Sequence, residues 1–186
     1  VQAQIIESLE TEKAADILEE MDADEAADVL NELYEDTSEE ILEEMEGEPK
    51  ADVEELLEYD EDTAGGMMNT EYLALHELAT AADALDALRQ NQDLADVVTT
   101  LFVTDIDGRL KAALPVARVF LARPATPLAD LISETEVIKA PVGAKSRRVV
   151  ELFDRYNILT LPVVDDEGRM AGVVTADDVI SVLRRK

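Results

Sequence analysis

The nine residues Asp60-Glu61-Asp62-Thr63-Ala64-Gly65-Gly66-Met67-Met68 place three carboxylates directly before two glycines and two methionines. N-terminal to this change, residues 1–62 carry 26 Asp and Glu against two basic residues, Lys13 and Lys50, a net charge of −24. C-terminal to it, residues 63–186 carry 18 acids against 14 Lys and Arg, a net of −4. The stretch is a border between two kinds of polypeptide. Gly65 and Gly66 suit either a hinge between two bodies or an ordinary helix C-cap, since both uses draw on backbone conformations closed to other residues. Met67 and Met68 read as apolar packing at the start of the second body.

With 186 residues, 47% of them apolar, the chain can build one large or two to three small domains around a genuine core. The absence of cysteine excludes a disulfide framework and thiolate metal chemistry, and favours a reducing compartment. No apolar run approaches the roughly 20 residues of a membrane-spanning helix, and the start at Val1 has no signal-peptide pattern. The chain therefore reads as soluble, and its start without methionine suggests a piece excised from a longer parent. A formal charge of −28 argues against nucleic acid as a partner and makes cations the natural counter-partners, solubility being the alternative use of such charge. Enzymatic readings find no support: the single histidine, His76, has no cysteine or second histidine to work with, and no phosphate-cradling Gly-x-x-x-x-Gly-Lys loop occurs.

The acidic half repeats with a period of twelve. Ala15 to Met21, Ala27 to Leu33 and Glu39 to Met45 align with acid, aliphatic pair and a later apolar residue in register, and a weaker copy runs from Ala51 to Leu57. Twelve residues make 3.33 helical turns, so a continuous rod could not keep this stripe on one side, and the helix must break between copies. Asp22 with Glu25 and Thr37 with Glu40 have capping-box spacing, and Gly47 and Pro49 interrupt the next junction. The expectation is short helices stacked as a small superhelical arch.

Beyond Gly66 the pattern alternates strands and helices: a strand over Glu71–Leu78, a helix over Thr80–Gln90 opened by Thr80, and strands over Thr99–Thr104 and from Arg109 to about Leu114. A shift of sixty residues lays Phe102–Leu110 over Pro162–Met170, with a helix from about Ser146 to Tyr156 ahead of the second copy. Two β-α-β-β-α units follow the arch. The fold class is α plus α/β, divided as 1–66, 67–123 and 124–186.

The second copy, Ile158–Asp165 followed by Gly172-Val173-Val174-Thr175-Ala176-Asp177-Asp178-Val179, resembles a CBS module, and tandem CBS modules pair into one unit. With the DTAGGMM stretch and the acidic helical repeat before it, the whole chain is similar to the cytosolic region of MgtE magnesium transporters. That resemblance implies regulation: Mg2+ held between the acidic faces of the helical domain and the CBS pair favours the compact state that closes the pore. It places the parent at the cytoplasmic face of the cell membrane, with its own transmembrane domain as a partner. It points to Asp178, the last residue of the Gly-h-h-Thr-x-x-Asp pattern, with neighbouring Asp177, and to Glu20, Asp24 and Asp28 on the arch, as metal ligands. The bare residues supply a reason. Facing carboxylates repel by about 1 to 4 kcal/mol depending on dielectric, and Mg2+, which keeps several waters and asks for one or two carboxylates, reverses that sign.

The first copy departs from the pattern, with Ala112, Pro115 and Arg118 where the second has Gly172, Thr175 and Asp178. It therefore lacks the hydroxyl and carboxylate that would hold a ribose, although Arg118 is suited to a phosphate. An adenine-nucleotide sensor for ATP or AMP and an acidic protein-interaction scaffold are the competing readings. Arg147, Arg148 and Asn157 stand where relatives tend to carry acids, and the sequence ends Leu183-Arg184-Arg185-Lys186 before any acidic connecting helix, so fewer metal sites are expected. A homodimer through the CBS helices is expected, with Val149, Val150, Leu152 and Phe153 offered as its contact face.

Overall fold

The computed structural model describes residues 2–92, 94, 98–133 and 136–185, and Lys186 of the basic terminus lies outside them. The acidic half is a run of short helices: α1 (Gln2–Ile6), α2 (Thr11–Glu19), α3 (Ala23–Glu32), α4 (Glu35–Glu44) and α5 (Gly47–Leu57). The last four begin at residues 11, 23, 35 and 47, so the twelve-residue period sets the helix starts. The same period places Val29, Ile41 and Val53 in the core at 4%, 2% and 1% exposure, which is why each copy needs its neighbours to bury its stripe. Helices stack on their second neighbours, α1 on α3, α2 on α4 and α3 on α5.

Capping does not work as the sequence suggests. Asp22 is the N-cap of α3, but its side chain makes no capping hydrogen bond. Thr37 lies inside α4, which starts after Tyr34, so the expected Thr37–Glu40 box is absent. In a segment so rich in Glu, an S/T-x-x-E spacing arises without structural meaning.

The double glycine also differs from expectation. Gly65 and Gly66 sit within a four-residue helix, α6 (Ala64–Met67), whose N-cap Thr63 accepts the Gly66 N–H at 3.3 Å. Neither has the positive φ of a helix C-cap glycine. Their requirement is closeness: a Cβ on Gly65 would lie 2.5 Å from Tyr59 Cγ, and one on Gly66 would lie 2.5 Å from the Asp60 carbonyl oxygen. Met67 and Met68 are buried, as expected.

Each repeat contributes a three-stranded sheet. The first comprises β1 (Leu73–His76), α7 (Ala81–Gln90), β2 (Thr100–Thr104), β3 (Leu110–Pro115) and α8 (Val116–Leu121). The second comprises β4 (Ala140–Pro141), α9 (Ser146–Tyr156), β5 (Thr160–Val164), β6 (Met170–Thr175) and α10 (Ala176–Arg185). In both, the first strand pairs parallel and the third antiparallel with the second. The registers differ by sixty residues, Thr100 opposite Pro115 and Thr160 opposite Thr175, and even the irregularity recurs, at Val103/Thr104 and Val163/Val164. Thr80 forms the predicted cap of α7, a full capping box with Asp83. His76 accepts the Leu78 N–H on Nδ1 at 3.1 Å, a local turn contact.

The two repeats meet at their β-turns, where Leu110 N–H donates to Gly168 and Met170 N–H to Gly108. Phe102, Leu110, Val164 and Val173 form the apolar cluster between them. A second core runs without interruption from the arch, through Ala64, Met67 and Met68, into Val149, Leu161 and Val174 of the second repeat. The face offered for dimerisation is thereby corrected: Val149, Leu152 and Phe153 are spent on this internal core at 0%, 5% and 9% exposure. The exposed apolar side chains of the repeat helices instead include, among the described residues, Phe120 and Leu121 on α8, Tyr156 on α9 and Ile180 and Leu183 on α10.

Candidate functional site

Two helix starts converge where the arch meets the second repeat. The first turn of α3 carries Asp24 and Glu25, and the first turn of α10 carries Asp177 and Asp178. Unpaired N–H groups and the helix dipole favour carboxylates at such positions, which is the local reason for these acids. Asp178 is held by Thr175, whose N–H and Oγ1 both donate to Asp178 Oδ2, at 2.6 and 2.7 Å. Thr175 Oγ1 also lies 2.6 Å from Asp177 Oδ1. One hydroxyl has one proton, so it serves a single carboxylate at a time.

Asp178 faces Asp24 across the junction, close enough for each carboxyl to act on the other. Burial, and then the Asp178 charge, push the Asp24 carboxyl up from 3.8 to about 8. Burial likewise raises Asp178, against the opposing effect of its Thr175 hydrogen bonds. Two half-buried carboxyls in contact cannot both be ionised cheaply, so the pair holds either a proton or a cation.

Cavities open on both sides of this pair. One, of about 350 Å³, is lined by Asp24, Glu25, Asp28 and Glu32 of α3, by Asp177 and Asp178 of α10, and by Glu61 and Asp62 of the border stretch. The other, of about 300 Å³, shares the Asp24–Asp178 pair and adds Asp22, Glu71 and the rings of Tyr72 and Phe102. Among the described residues, neither wall includes Lys, Arg or His. Glu71 is raised by burial and then by Asp22, so repulsion across the junction extends beyond the central pair.

Of the residues singled out in the sequence, Asp24, Asp28, Asp177 and Asp178 come together around the larger cavity. Glu20 does not: it is the exposed C-cap of α2 and lines neither cavity. Sequence reasoning passed over Glu25, Glu32, Glu61, Asp62, Asp22 and Glu71. Glu61 and Asp62 were signalled by the quoted stretch itself; the others carry no local mark among so many acids. Among the described residues no three acids or histidines form a ready-made metal cage. Acids spread along the wall of the larger cavity could hold a hydrated ion through one or two carboxylates, the coordination Mg2+ accepts.

The first repeat has a different cleft, of about 450 Å³, walled by Thr99, Thr100, Pro115, Leu159 and Thr160. At its edge Arg118 Nη1 donates to Ser133 Oγ at 2.8 Å and to the Leu131 carbonyl at 3.4 Å. The position that holds a carboxylate in one repeat holds a tethered cation in the other.

Residues 1–62 match the family model described as the MgtE intracellular N domain, and residues 128–185 match the CBS domain. Over 97% of its length the chain is similar to a solved structure of the cytosolic domain of the Mg2+ channel MgtE in complex with ATP, at 32% identity and a TM-score of 0.85, covering 78% of that chain. This chain belongs to the MgtE family. A solved soluble part of a magnesium transporter is similar over 99% of this chain and 72% of that one, with a TM-score of 0.91 and 29% identity. Magnesium transporter MgtE of Thermus thermophilus is 38% identical over 134 residues, which are 72% of this chain and 30% of that protein. The MgtE chain described here thus spans about a third of the length of that curated relative. Its arch is the MgtE N domain, its tandem repeats are a CBS pair, and among the described residues no helix is long and apolar enough to cross a membrane.

Proposed function

We propose that this chain is a Mg2+-sensing regulatory region at the cytoplasmic face of the membrane, acting on the pore of its own transmembrane domain. The reading rests on one observation: Asp24 of the arch and Asp178 of the CBS pair meet half-buried, inside walls that carry acids and, among the described residues, no Lys, Arg or His. Without a divalent ion, the docked state must protonate or confine facing negative charge, and the arch swings away. With Mg2+ in the gap, Asp24 and Asp178 keep their charges and the arch stays docked, the state that closes the pore. Asp28 and Asp177 hold further hydrated ions at the rim. The chain's own residues do no covalent chemistry in this cycle. Pairing with a second copy through Phe120 and Leu121 of α8 and Ile180 of α10, sixty residues on from Phe120, would set two such gates side by side.

Small-angle scattering across a Mg2+ titration tests the reading. The radius of gyration should fall as Mg2+ rises into the millimolar range and recover with chelator. Superimposable curves in Mg2+ and in chelator at neutral pH would remove the sensor.

A second reading, nucleotide binding, is favoured by the Arg118 cleft and by the MgtE neighbour solved with ATP. A guanidinium held by Ser133 is preset for a phosphate. Calorimetry should then find ATP binding that weakens about tenfold or more in Arg118→Ala, the loss of one charge-assisted contact. Unchanged affinity in that variant would move any nucleotide elsewhere.

A further inference from the structure

The border stretch is hydrogen-bonded in a way that its sequence position does not suggest. In the first repeat, Ala81 N–H donates to Thr126, Leu128 N–H to Ala79 and Ala129 N–H to Glu77. In the second, Ser146 N–H donates to Asp62, Ala64 N–H to Ala144 and Gly65 N–H to Val142. These are the same three bonds, and the bridge between Thr80 and Pro127 likewise corresponds to that between Lys145 and Thr63. Residues 62–67 therefore occupy in the second repeat the place that residues 126–131 occupy in the first. They complete the second CBS unit, although the whole first unit lies between them in the chain.

Further contacts fasten the segment. Asp62 accepts from the Ser146 hydroxyl, and Ser146 is buried at 3% exposure. Lys145 Nζ lies 3.5 Å from Asp60 and 3.9 Å from Asp62. Thr63 donates both its N–H and its hydroxyl to the Asp60 carbonyl, at 2.9 and 2.6 Å. From Asp60 onward the chain is tied to the second repeat. Between that tie and the last residue of α5, Leu57, only Glu58 and Tyr59 remain, and the Tyr59 side chain packs closely against the bare backbone of Gly65.

We propose that residues 60–67 are a fixed clasp of the second CBS unit, that the arch pivots at Glu58–Tyr59, and that Tyr59 on Gly65 is the seat holding the arch in its docked pose. The glycines are thus a bearing surface and not the flexible element, and the mechanical boundary lies at residue 59, upstream of the boundary at 66 drawn from sequence. This assignment deepens the sensor reading and uses its docked and released states. It divides the acids of the larger cavity into two jaws: Asp24, Glu25, Asp28 and Glu32 move with the arch, while Glu61, Asp62, Asp177 and Asp178 stay together on the fixed side.

Native-state hydrogen exchange on the full 186-residue chain, with Tyr59→Ala beside the parent sequence, tests this. In Tyr59→Ala the amides of arch residues Ala26 and Met45 should lose about tenfold or more in protection, while Ala64, Gly65 and Ser146 stay with Val142 and Val173 of the second repeat. Gly65→Ala, which pushes the ring off from the other side, should do the same. Loss of protection at Ala64 and Gly65 in step with the arch would overturn the clasp, and an arch untouched by Tyr59→Ala would overturn the seat. A Mg2+ arm keeps the two ideas separable, since an arch indifferent to Mg2+ sinks the sensor reading and leaves the clasp result standing on the variants alone.

Discussion

Asp24→Asn should hold the molecule compact in chelator at neutral pH and abolish the response of its scattering curve to Mg2+. Docking lifts the Asp24 carboxyl from 3.8 to about 8, by burial first and the Asp178 charge second. At pH 7 the metal-free docked state must then hold a proton that the released state does not, at a cost on the order of 4 kcal/mol. An amide carries no charge to strip of water, so that cost disappears. The variant loses a ligand, but it loses the repulsion too, and the repulsion is what opens the gap. Removal of a ligand alone would give the opposite result, a permanently released arch. A scattering titration of Asp24→Asn with the midpoint of the parent protein would show that Asp24 is an ordinary solvated acid.

The same carboxyl should make the metal-free protein a pH-dependent opener. Its docked value lies above its released value, so the docked state binds more protons and is favoured in full below about pH 4. That advantage falls away as pH rises from about 4 to about 8 and changes little beyond. Asp178 is shifted in the same direction and steepens the loss. In chelator, the radius of gyration should therefore grow across this window, whereas in saturating Mg2+ it should stay small throughout. Since the ion competes with the proton, apparent Mg2+ affinity should rise by up to about tenfold per pH unit until about pH 8. Scattering or calorimetry at a series of pH values reads both effects, and an affinity flat between pH 5 and about 8 would contradict the shift.

Much of this architecture is written locally. The twelve-residue period gives helix starts at 11, 23, 35 and 47 because each copy repeats one buried stripe. The sixty-residue shift anticipates matching strand registers because strand and turn chemistry repeat with it. The exchange of residues 62–67 into the second repeat is invisible for the opposite reason: their partners, Val142 to Ser146, lie about eighty residues away, and no short pattern marks them. Asp24 and Asp178 were reachable through the family pattern and the first-turn preference for acids. Glu20 falls outside both cavities, since its place at the end of a helix does not fix which way that end faces. The walls formed by Glu25, Glu32 and Glu71 could not be picked out, since in a chain with 44 acids carboxylate identity carries almost no positional information.

The stacking of α1 on α3 and of α3 on α5, with α2 and α4 forming the other row, gives the arch a parity. Losing or gaining a single twelve-residue copy between α3 and the border would shift Asp24 into the opposite row and turn it away from its partner. Two copies together would restore it, so length variation compatible with this switch should come in steps of twenty-four residues.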